Sequence, residues 1–294
     1  MSCQKSVFLR DKCAKKLFVT ICLLLTTCGQ LQNRQMLVTK DKRRFTVNLA
    51  GEIRTGALKI PQKRQQHSPM IIVLHGMGAS GEAMRSRGFD LVAGKCGYFI
   101  VYPDGKNGGW SSLNDNAFFE VIIREMYEQY AIDRNKVFMS GHSLGAIQCY
   151  ESALLLGKKI AGIAAVSGTM SAESAQLLYT INPSRKGINP TPVPVMHIHS
   201  LDDDVIPFEG KHLWNIYSVD ETIAFWKNIN GCTDVYKSYP ATMGIEGRIW
   251  CGAEADCVLL LRQNGGHAWP ATATESIVRF FDTVASGKNR FSKT

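Results

Sequence analysis

Short apolar runs recur along the chain, and each one ends at glycine, proline or a polar loop. Uninterrupted runs of this length are typical of strands in a parallel sheet, because helices cover both faces of such strands. We predict six core strands, at residues 70–74, 98–102, 136–140, 160–166, 193–199 and 257–261. Residues 45–60 alternate around Gly51 and predict a β-hairpin ahead of these strands.

Helical patterns occupy the intervals between the predicted strands, most clearly at residues 116–130, 146–156 and 220–228. Alternation of strands with helices predicts an α/β fold whose mostly parallel central sheet is flanked by helices. Functional side chains in such folds collect at the carboxyl ends of the strands. We therefore expect the chemistry in the loops that follow the strands.

Residues 141–145, with the sequence GHSLG, follow the third core strand and precede a helical pattern. Strand, sharp turn and helix are the setting of a nucleophile elbow, in which a strained turn exposes the serine hydroxyl. This setting predicts that Ser143 is a nucleophile. The alternative is a glycine-rich turn with an idle serine.

Two further candidates lie after later strands: Asp203 follows the fifth, and His267 follows the sixth. The chain order Ser, Asp, His is that of α/β-hydrolases. A neutral histidine takes the serine proton, and a carboxylate holds the imidazole in the required tautomer. Asp202 and Asp204 remain alternatives for the acid. Three acids in one short run supply too few ligands to predict a Ca²⁺ site, and we expect no metal and no cofactor.

The tetrahedral intermediate of such a reaction carries an oxyanion that needs two N–H donors. We expect one from Leu144, directly after the nucleophile, and the other from Met77, in the loop after the first core strand. Trp110 and Trp269 lie on loops at the same edge of the sheet. They either bind the acyl group of a substrate or are simply packed, and the sequence leaves both interpretations open.

The histidines outside this set have simpler interpretations. His75 and His199 begin loops, so we expect them to make structural hydrogen bonds. His142 is next to Ser143, but its side chain is expected to leave the turn in another direction.

The composition describes an ordinary globular protein: 294 residues, 45% hydrophobic and 20% charged. The net charge of +9 is concentrated in the first 66 residues, and residues 67–294 carry a net charge of −2. This distribution argues against a nucleic-acid partner. The basic segment at 29–44 could contact anionic envelope lipid or polymer, although a solvated arm is the favoured interpretation.

The first 28 residues have the pattern of a signal peptide: five Lys or Arg, then an apolar run at 17–25. That run is shorter than the roughly 20 apolar residues that span a membrane. Residues 25–28 (LTTC) resemble a bacterial lipobox with Cys28 as the lipidated residue, and cleavage nearby without lipid is the alternative. We predict a secreted or cell-envelope protein whose catalytic domain occupies 45–288.

Nine cysteines are present, and four of them lie in or beside the predicted signal segment. Export places the rest in an oxidising compartment, and we expect a disulfide among Cys232, Cys251 and Cys257. Apolar surroundings predict that Cys96 and Cys149 are buried free thiols. Without a Cys-x-x-Cys spacing, a zinc site is not expected.

Several segments together resemble the polyhydroxybutyrate depolymerase/feruloyl esterase family of α/β-hydrolases, over roughly residues 45–285. They are MIIVLHGMGASG (70–81), YFIVYPDG (98–105), WSSLNDNAFF (110–119), IDRNKVFMSGHSLGA (132–146), IAGIAAVSG (160–168), NGGHAWP (264–270) and RFF (279–281). The family's acid loop, His-Gly-x-x-Asp-x-x-x-Pro, aligns with His199, Asp203 and Pro207, which implies Asp203 as the acid; Ser200 departs from the family's glycine. The resemblance also implies a Cys232–Cys251 disulfide.

The sequence therefore predicts an exported, monomeric serine carboxylic-ester hydrolase. The expected substrates are feruloyl or acetyl esters on polysaccharide, or short hydroxybutyrate oligomers. A serine peptidase on the same fold and a non-catalytic binding module are the alternatives.

Overall fold

The computed structural model describes residues 36–41, 43–63, 65–180, 190–211 and 214–287. The predicted signal segment, Cys28 and the other cysteines before residue 36 lie outside the described residues. Within them, no helix is both long and apolar enough to cross a membrane.

One mixed sheet forms the centre of the protein. Its strands in chain order are β1 Met36–Val38, β2 Arg44–Leu49, β3 Glu52–Lys59, β4 Met70–Leu74, β5 Phe99–Pro103, β6 Val137–His142, β7 Gly162–Val166, β8 Val195–Ser200, β9 Lys237–Ser238, β10 Ile245–Trp250 and β11 Cys257–Arg262. Their spatial order is β1-β2-β3-β5-β4-β6-β7-β8-β11-β10-β9. The six predicted core strands form the parallel centre, and antiparallel strands cover both edges.

Helices cover both faces of this sheet. They are α1 Gly81–Met84, α2 Phe89–Lys95, α3 Ser112–Tyr130, α4 Leu144–Leu156, α5 Ala172–Thr180, α6 Val219–Asn230 and α7 Ala273–Ala285. Side chains of α3, α4 and α6 pack into the core on one face, and those of α1, α2 and α7 pack on the other. The predicted α/β fold with a mostly parallel sheet is therefore confirmed.

The strand β4 shows why its sequence is apolar throughout. Met70, Ile72 and Leu74 point into the core on one face, and Ile71 and Val73 point into the core on the other. Successive side chains of a strand alternate between faces, so a strand with helices on both sides needs an apolar residue at every position.

The sheet begins earlier than the predicted domain boundary at residue 45. Met36–Val38 forms an edge strand that pairs with β2, and the Met36 side chain is buried. The Met36 N–H donates to the Glu125 carboxylate of α3 at 3.1 Å. This part of the basic segment is therefore not a solvated arm.

One prediction about the cysteines is wrong in the structure, and another is not shown by it. Cys96 is exposed rather than buried, because it caps the carboxyl end of α2 at the surface. The structure does not show the expected disulfide, since Cys232 is a free thiol. The Cys232 Sγ faces inward, 3.4 Å from the carbonyl oxygens of Trp250 and Ala255, rather than forming a bond to Cys251. Cys149 is buried, as predicted.

The turn between β6 and α4 requires glycine on both sides of Ser143. The backbone of Ser143 has φ 55° and ψ −121°, a conformation that L-residues rarely adopt. A Cβ on Gly141 would lie 2.2 Å from the Gly145 carbonyl oxygen, and one on Gly145 would lie 2.6 Å from the Leu74 carbonyl oxygen. The turn is thus pressed against the end of β4.

Alanine at position 145 should destabilise the fold by about 3 kcal/mol, because the obstructing atoms are backbone atoms of the central sheet. Gly94→Ala is the matched control. Gly94 lies in α2, where a Cβ would meet only the Lys59 side chain at 3.8 Å. Alanine there should stabilise the protein by about 0.5–1 kcal/mol through helix propensity. Denaturant unfolding checks both values, and an unchanged free energy of unfolding for Gly145→Ala would contradict the packing argument.

Candidate active site

Ser143 stands at the start of α4, at the carboxyl end of the central strand β6. Its N–H donates to the Val166 carbonyl at 2.9 Å, which joins the turn to the end of β7. Its Oγ lies 2.8 Å from the Nε2 of His267, although 124 residues separate the two in the chain. The elbow therefore presents the serine hydroxyl directly to an imidazole.

The other side of the His267 ring contacts Asp203. The His267 Nδ1 lies 2.9 Å from Oδ2 and 3.1 Å from Oδ1 of this carboxylate. A carboxylate only accepts, so the proton resides on Nδ1, and Nε2 is left with a lone pair toward the serine hydroxyl. The structure thus brings together the three residues that the sequence singled out.

The Asp203 carboxylate is completely buried. Burial alone would raise its pKa, but the hydrogen bonds from His267 and from the Ile206 N–H outweigh this effect, and the pKa is lowered. The Val205 and Ile206 N–H groups both donate to Oδ1, at 3.0 and 2.9 Å. The acid is therefore held as an anion in one orientation.

Asp202 has a different partner from its neighbour. Its carboxylate accepts the N–H groups of Gly265 and Gly266, at 3.0 and 2.8 Å, and these two hydrogen bonds lower its pKa. Gly265 and Gly266 immediately precede His267. Asp202 therefore holds the backbone of this loop, whereas Asp203 holds the His267 ring. The sequence suggested Asp202 only as a rival acid, because the hydrogen bonds of a carboxylate to a distant loop leave no local pattern.

The two expected oxyanion donors border the serine. Leu144 is the first residue of α4, so its N–H has no partner within the helix. Gly76 approaches the nucleophile closely: a Cβ there would lie 3.4 Å from the Ser143 Cβ. The next N–H in the chain is that of Met77, whose side chain is 78% exposed.

His75 orients the peptide that carries the Met77 N–H. Its Nδ1 lies 2.7 Å from the Gly76 carbonyl oxygen, and its Nε2 accepts the Gly105 N–H at 2.9 Å. The ring is neutral, since burial lowers its pKa. In a trans peptide the C=O and N–H point in opposite directions, so anchoring the Gly76 carbonyl directs the Met77 N–H away from His75.

Trp110 packs on this loop rather than forming an open wall. Its Nε1 donates to the His75 carbonyl at 2.8 Å, and its ring contacts the rings of His75 and Phe119. Half-buried Trp110 thus supports the loop that carries Met77. This arrangement favours the packing interpretation.

Trp269 is also a packed residue. It is only 9% exposed, its Nε1 donates to Thr274 at 3.1 Å, and its ring contacts those of Phe89 and His142. The His142 ring lies between Trp269 and His267, with its centroid 5.1 Å from that of His267. Burial, together with the neighbouring His267, lowers the pKa of His142 to about 4, so it stands beside His267 as a neutral ring.

Known proteins with related sequences include esterases. A family described as Phospholipase/Carboxylesterase matches residues 112–227. A bifunctional acetylxylan esterase/xylanase from Neocallimastix patriciarum is 30% identical over 51% of this chain and 21% of its own length. A probable feruloyl esterase C from Aspergillus oryzae is 27% identical over 62% of this chain and 64% of its own. The predicted resemblance to feruloyl esterases is confirmed, although the chain spans less than two thirds of either relative.

Solved structures agree on the fold. An acetyl xylan esterase from Aspergillus awamori superposes with a TM-score of 0.62, covering 78% of this chain and 94% of its own, at 14% identity. Est1E from Butyrivibrio proteoclasticus superposes with a TM-score of 0.56, covering 83% and 99%, at 13% identity. The chain has the α/β-hydrolase fold.

Removing the Asp202 carboxylate should slow the reaction of Ser143 with a fluorophosphonate, because the Gly265–Gly266 backbone is then free to move His267. Displacing a reacting group by about 1 Å lowers a rate by up to about a hundredfold. The comparison is Asp202→Ala against Asp204→Ala, which loses the same charge from an exposed neighbouring position. Equal labelling rates for both variants would show that the Asp202 contacts do not hold His267 in place.

Proposed function

We propose that this α/β-hydrolase chain, related in sequence to feruloyl and acetylxylan esterases, is itself a serine carboxylic-ester hydrolase. The observation that carries the proposal is the unbroken series Ser143 Oγ, His267 Nε2, His267 Nδ1 and Asp203 Oδ2, with contacts of 2.8 and 2.9 Å. Two independent contacts at hydrogen-bond distance join residues from three separate loops, which an idle serine in a turn would not need.

In the proposed reaction, Ser143 Oγ attacks the ester carbonyl carbon while His267 Nε2 takes the hydroxyl proton. The carbonyl oxygen becomes an oxyanion that accepts from the Leu144 and Met77 N–H groups. His267 then gives its proton to the departing alcohol, leaving an acyl-enzyme on Ser143. Water, deprotonated by the same imidazole, releases the acid, and the buried Asp203 anion stabilises the imidazolium in both steps.

The proposed substrates are feruloyl or acetyl esters of plant polysaccharide, and the names of the sequence relatives support this class. The proposal of hydroxybutyrate oligomers as substrates is supported only by the resemblance of the sequence motifs. One methylene in an apolar pocket changes specificity by only about 1–3 kcal/mol, so measurement decides the acyl preference. Methyl ferulate, acetylated xylan and hydroxybutyrate oligomers, compared by kcat/KM, separate the three.

Export is also part of the proposal, and it rests on the signal-like pattern of residues 1–28. Sequencing the amino terminus of the mature protein distinguishes a lipid-blocked Cys28 from simple cleavage nearby. An uncleaved chain in the cytoplasm would contradict export.

Substituting Ser143 by alanine should abolish fluorophosphonate labelling and lower kcat for p-nitrophenyl acetate by at least about a thousandfold, because the hydroxyl that lies 2.8 Å from the His267 Nε2 is removed. Labelling that survives Ser143→Ala would overturn the proposal. A wild-type protein that is not labelled would favour the binding-module alternative. Hydrolysis of peptide anilides faster than of esters would favour the peptidase.

A further inference from the structure

A chain of buried side-chain hydrogen bonds extends from the acid loop into the core. His197 and His199 are two residues apart on β8, so both side chains leave the same face of the sheet. The Tyr150 hydroxyl of α4 lies 2.6 Å from the His197 Nδ1, and the His197 Nε2 lies 3.2 Å from the His199 Nδ1. The His199 Nε2 lies 2.9 Å from the Ile206 carbonyl oxygen. All three side chains are at most 1% exposed.

The carbonyl at the end of this chain determines the direction of every bond in it. The Ile206 oxygen can only accept, so the proton of a neutral His199 is on Nε2 and its Nδ1 accepts from His197. The His197 proton is then on Nε2, and its Nδ1 accepts from the Tyr150 hydroxyl. Each polar atom has one partner, which is what burial in an apolar core requires.

Ile206 connects this chain to Asp203. Its carbonyl oxygen accepts from His199, and its N–H donates to the Asp203 Oδ1 at 2.9 Å. Asp203 in turn holds His267. The His199 Nε2 itself is 3.7 Å from the Asp203 Oδ2, so the backbone of Ile206, rather than a direct contact, is the closer link.

We propose that Tyr150, His197 and His199 are positioning residues that fix Ile206 from the core side and thereby aim Asp203 at His267. The catalytic residues lie in loops, and these side-chain hydrogen bonds connect the acid loop to the rigid centre of the sheet and to α4. The inference rests on the proposed function in taking His267 as the base.

The surroundings favour the neutral form of both imidazole rings, His197 and His199. Burial lowers the pKa of both His197 and His199. The titratable groups that act on His199 are Asp203, His267 and Glu209, and the thiols of Cys149 and Cys257 are near Tyr150. The aromatic ring of Phe208 covers His199, and that of Trp226 covers Tyr150.

Nitrogen NMR of the full chain at pH 7 tests the direction of the bonds without any substrate. Long-range proton–nitrogen spectra, assigned with His197→Gln and His199→Gln, should show both imidazoles neutral with the proton on Nε2. A charged His199, or a proton on the Nδ1 of His197, would overturn the proposed chain. This readout holds even for a protein that hydrolyses no ester, so it separates failure of this inference from failure of the proposed function.

Kinetics with p-nitrophenyl acetate test the positioning role. His199→Leu should lower kcat by about ten- to a hundredfold with little change in KM, as expected when a catalytic group is displaced by about 1 Å. His199→Gln should recover much of this loss, because its amide can still donate to the Ile206 carbonyl. In His199→Leu the acid limb of kcat/KM should also move to lower pH, because an imidazolium that has lost the aligned Asp203 is less stable.

Tyr150→Phe and Tyr98→Phe form a matched pair for the far end of the chain. Tyr98 is equally buried, and its hydroxyl donates to Asp282 at 2.8 Å, away from the acid loop. Both variants should unfold at lower denaturant concentration, but only Tyr150→Phe should lower kcat and shift the low-field proton signal of the His267 Nδ1–H. An unchanged kcat and an unchanged signal in Tyr150→Phe would contradict the positioning role and show that these hydrogen bonds only stabilise the fold.

Discussion

The site depends on keeping one carboxylate ionised where water does not reach it. An unpaired buried charge is strongly unfavourable, so Asp203 needs hydrogen-bond donors to remain an anion. Two backbone N–H groups of its own loop and the Nδ1–H of His267 supply them. The backbone donors shape the loop into a tight turn, and the imidazole donor fixes the tautomer that leaves the serine-facing nitrogen free. Loop conformation, charge state and base orientation thus follow from the solvation of a single group.

On each side of the serine, a buried histidine anchors a backbone carbonyl of a site loop. In the loop that carries Met77, the His75 ring lies 2.7 Å from the Gly76 carbonyl; in the acid loop, the His199 ring lies 2.9 Å from the Ile206 carbonyl. Burial lowers the pKa of both histidines, which keeps each ring a neutral donor. A carbonyl anchored in this way determines the orientation of its whole peptide unit, since the unit is planar. Loops that would otherwise vary in conformation acquire one arrangement around Ser143.

The sequence predicted the parts of this arrangement that depend on strand order. Apolar runs revealed the core strands, and the loops after them identified Ser143, Asp203 and His267 because parallel strands end at one edge of the sheet. Side-chain direction was beyond such reasoning. Trp269 occurs in a loop yet packs inward, and Cys96 follows apolar residues yet caps a helix at the surface. The sequence does not predict the strand at Met36, because three residues are too few for a periodic signal and the burial of this strand depends on α3, far along the sequence.

The pair Asp202 and Asp203 shows why residue identity alone underdetermines such a site. In the turn that follows β8, one carboxylate points inward to the His267 ring and the other points outward to the Gly265 and Gly266 N–H groups. Both therefore act on the same histidine, Asp203 through its ring and Asp202 through the backbone of the two glycines before it. The choice among the three consecutive acids is thus made by the course of the turn after β8, which buries Asp203 and leaves Asp202 and Asp204 exposed, and not by residue type.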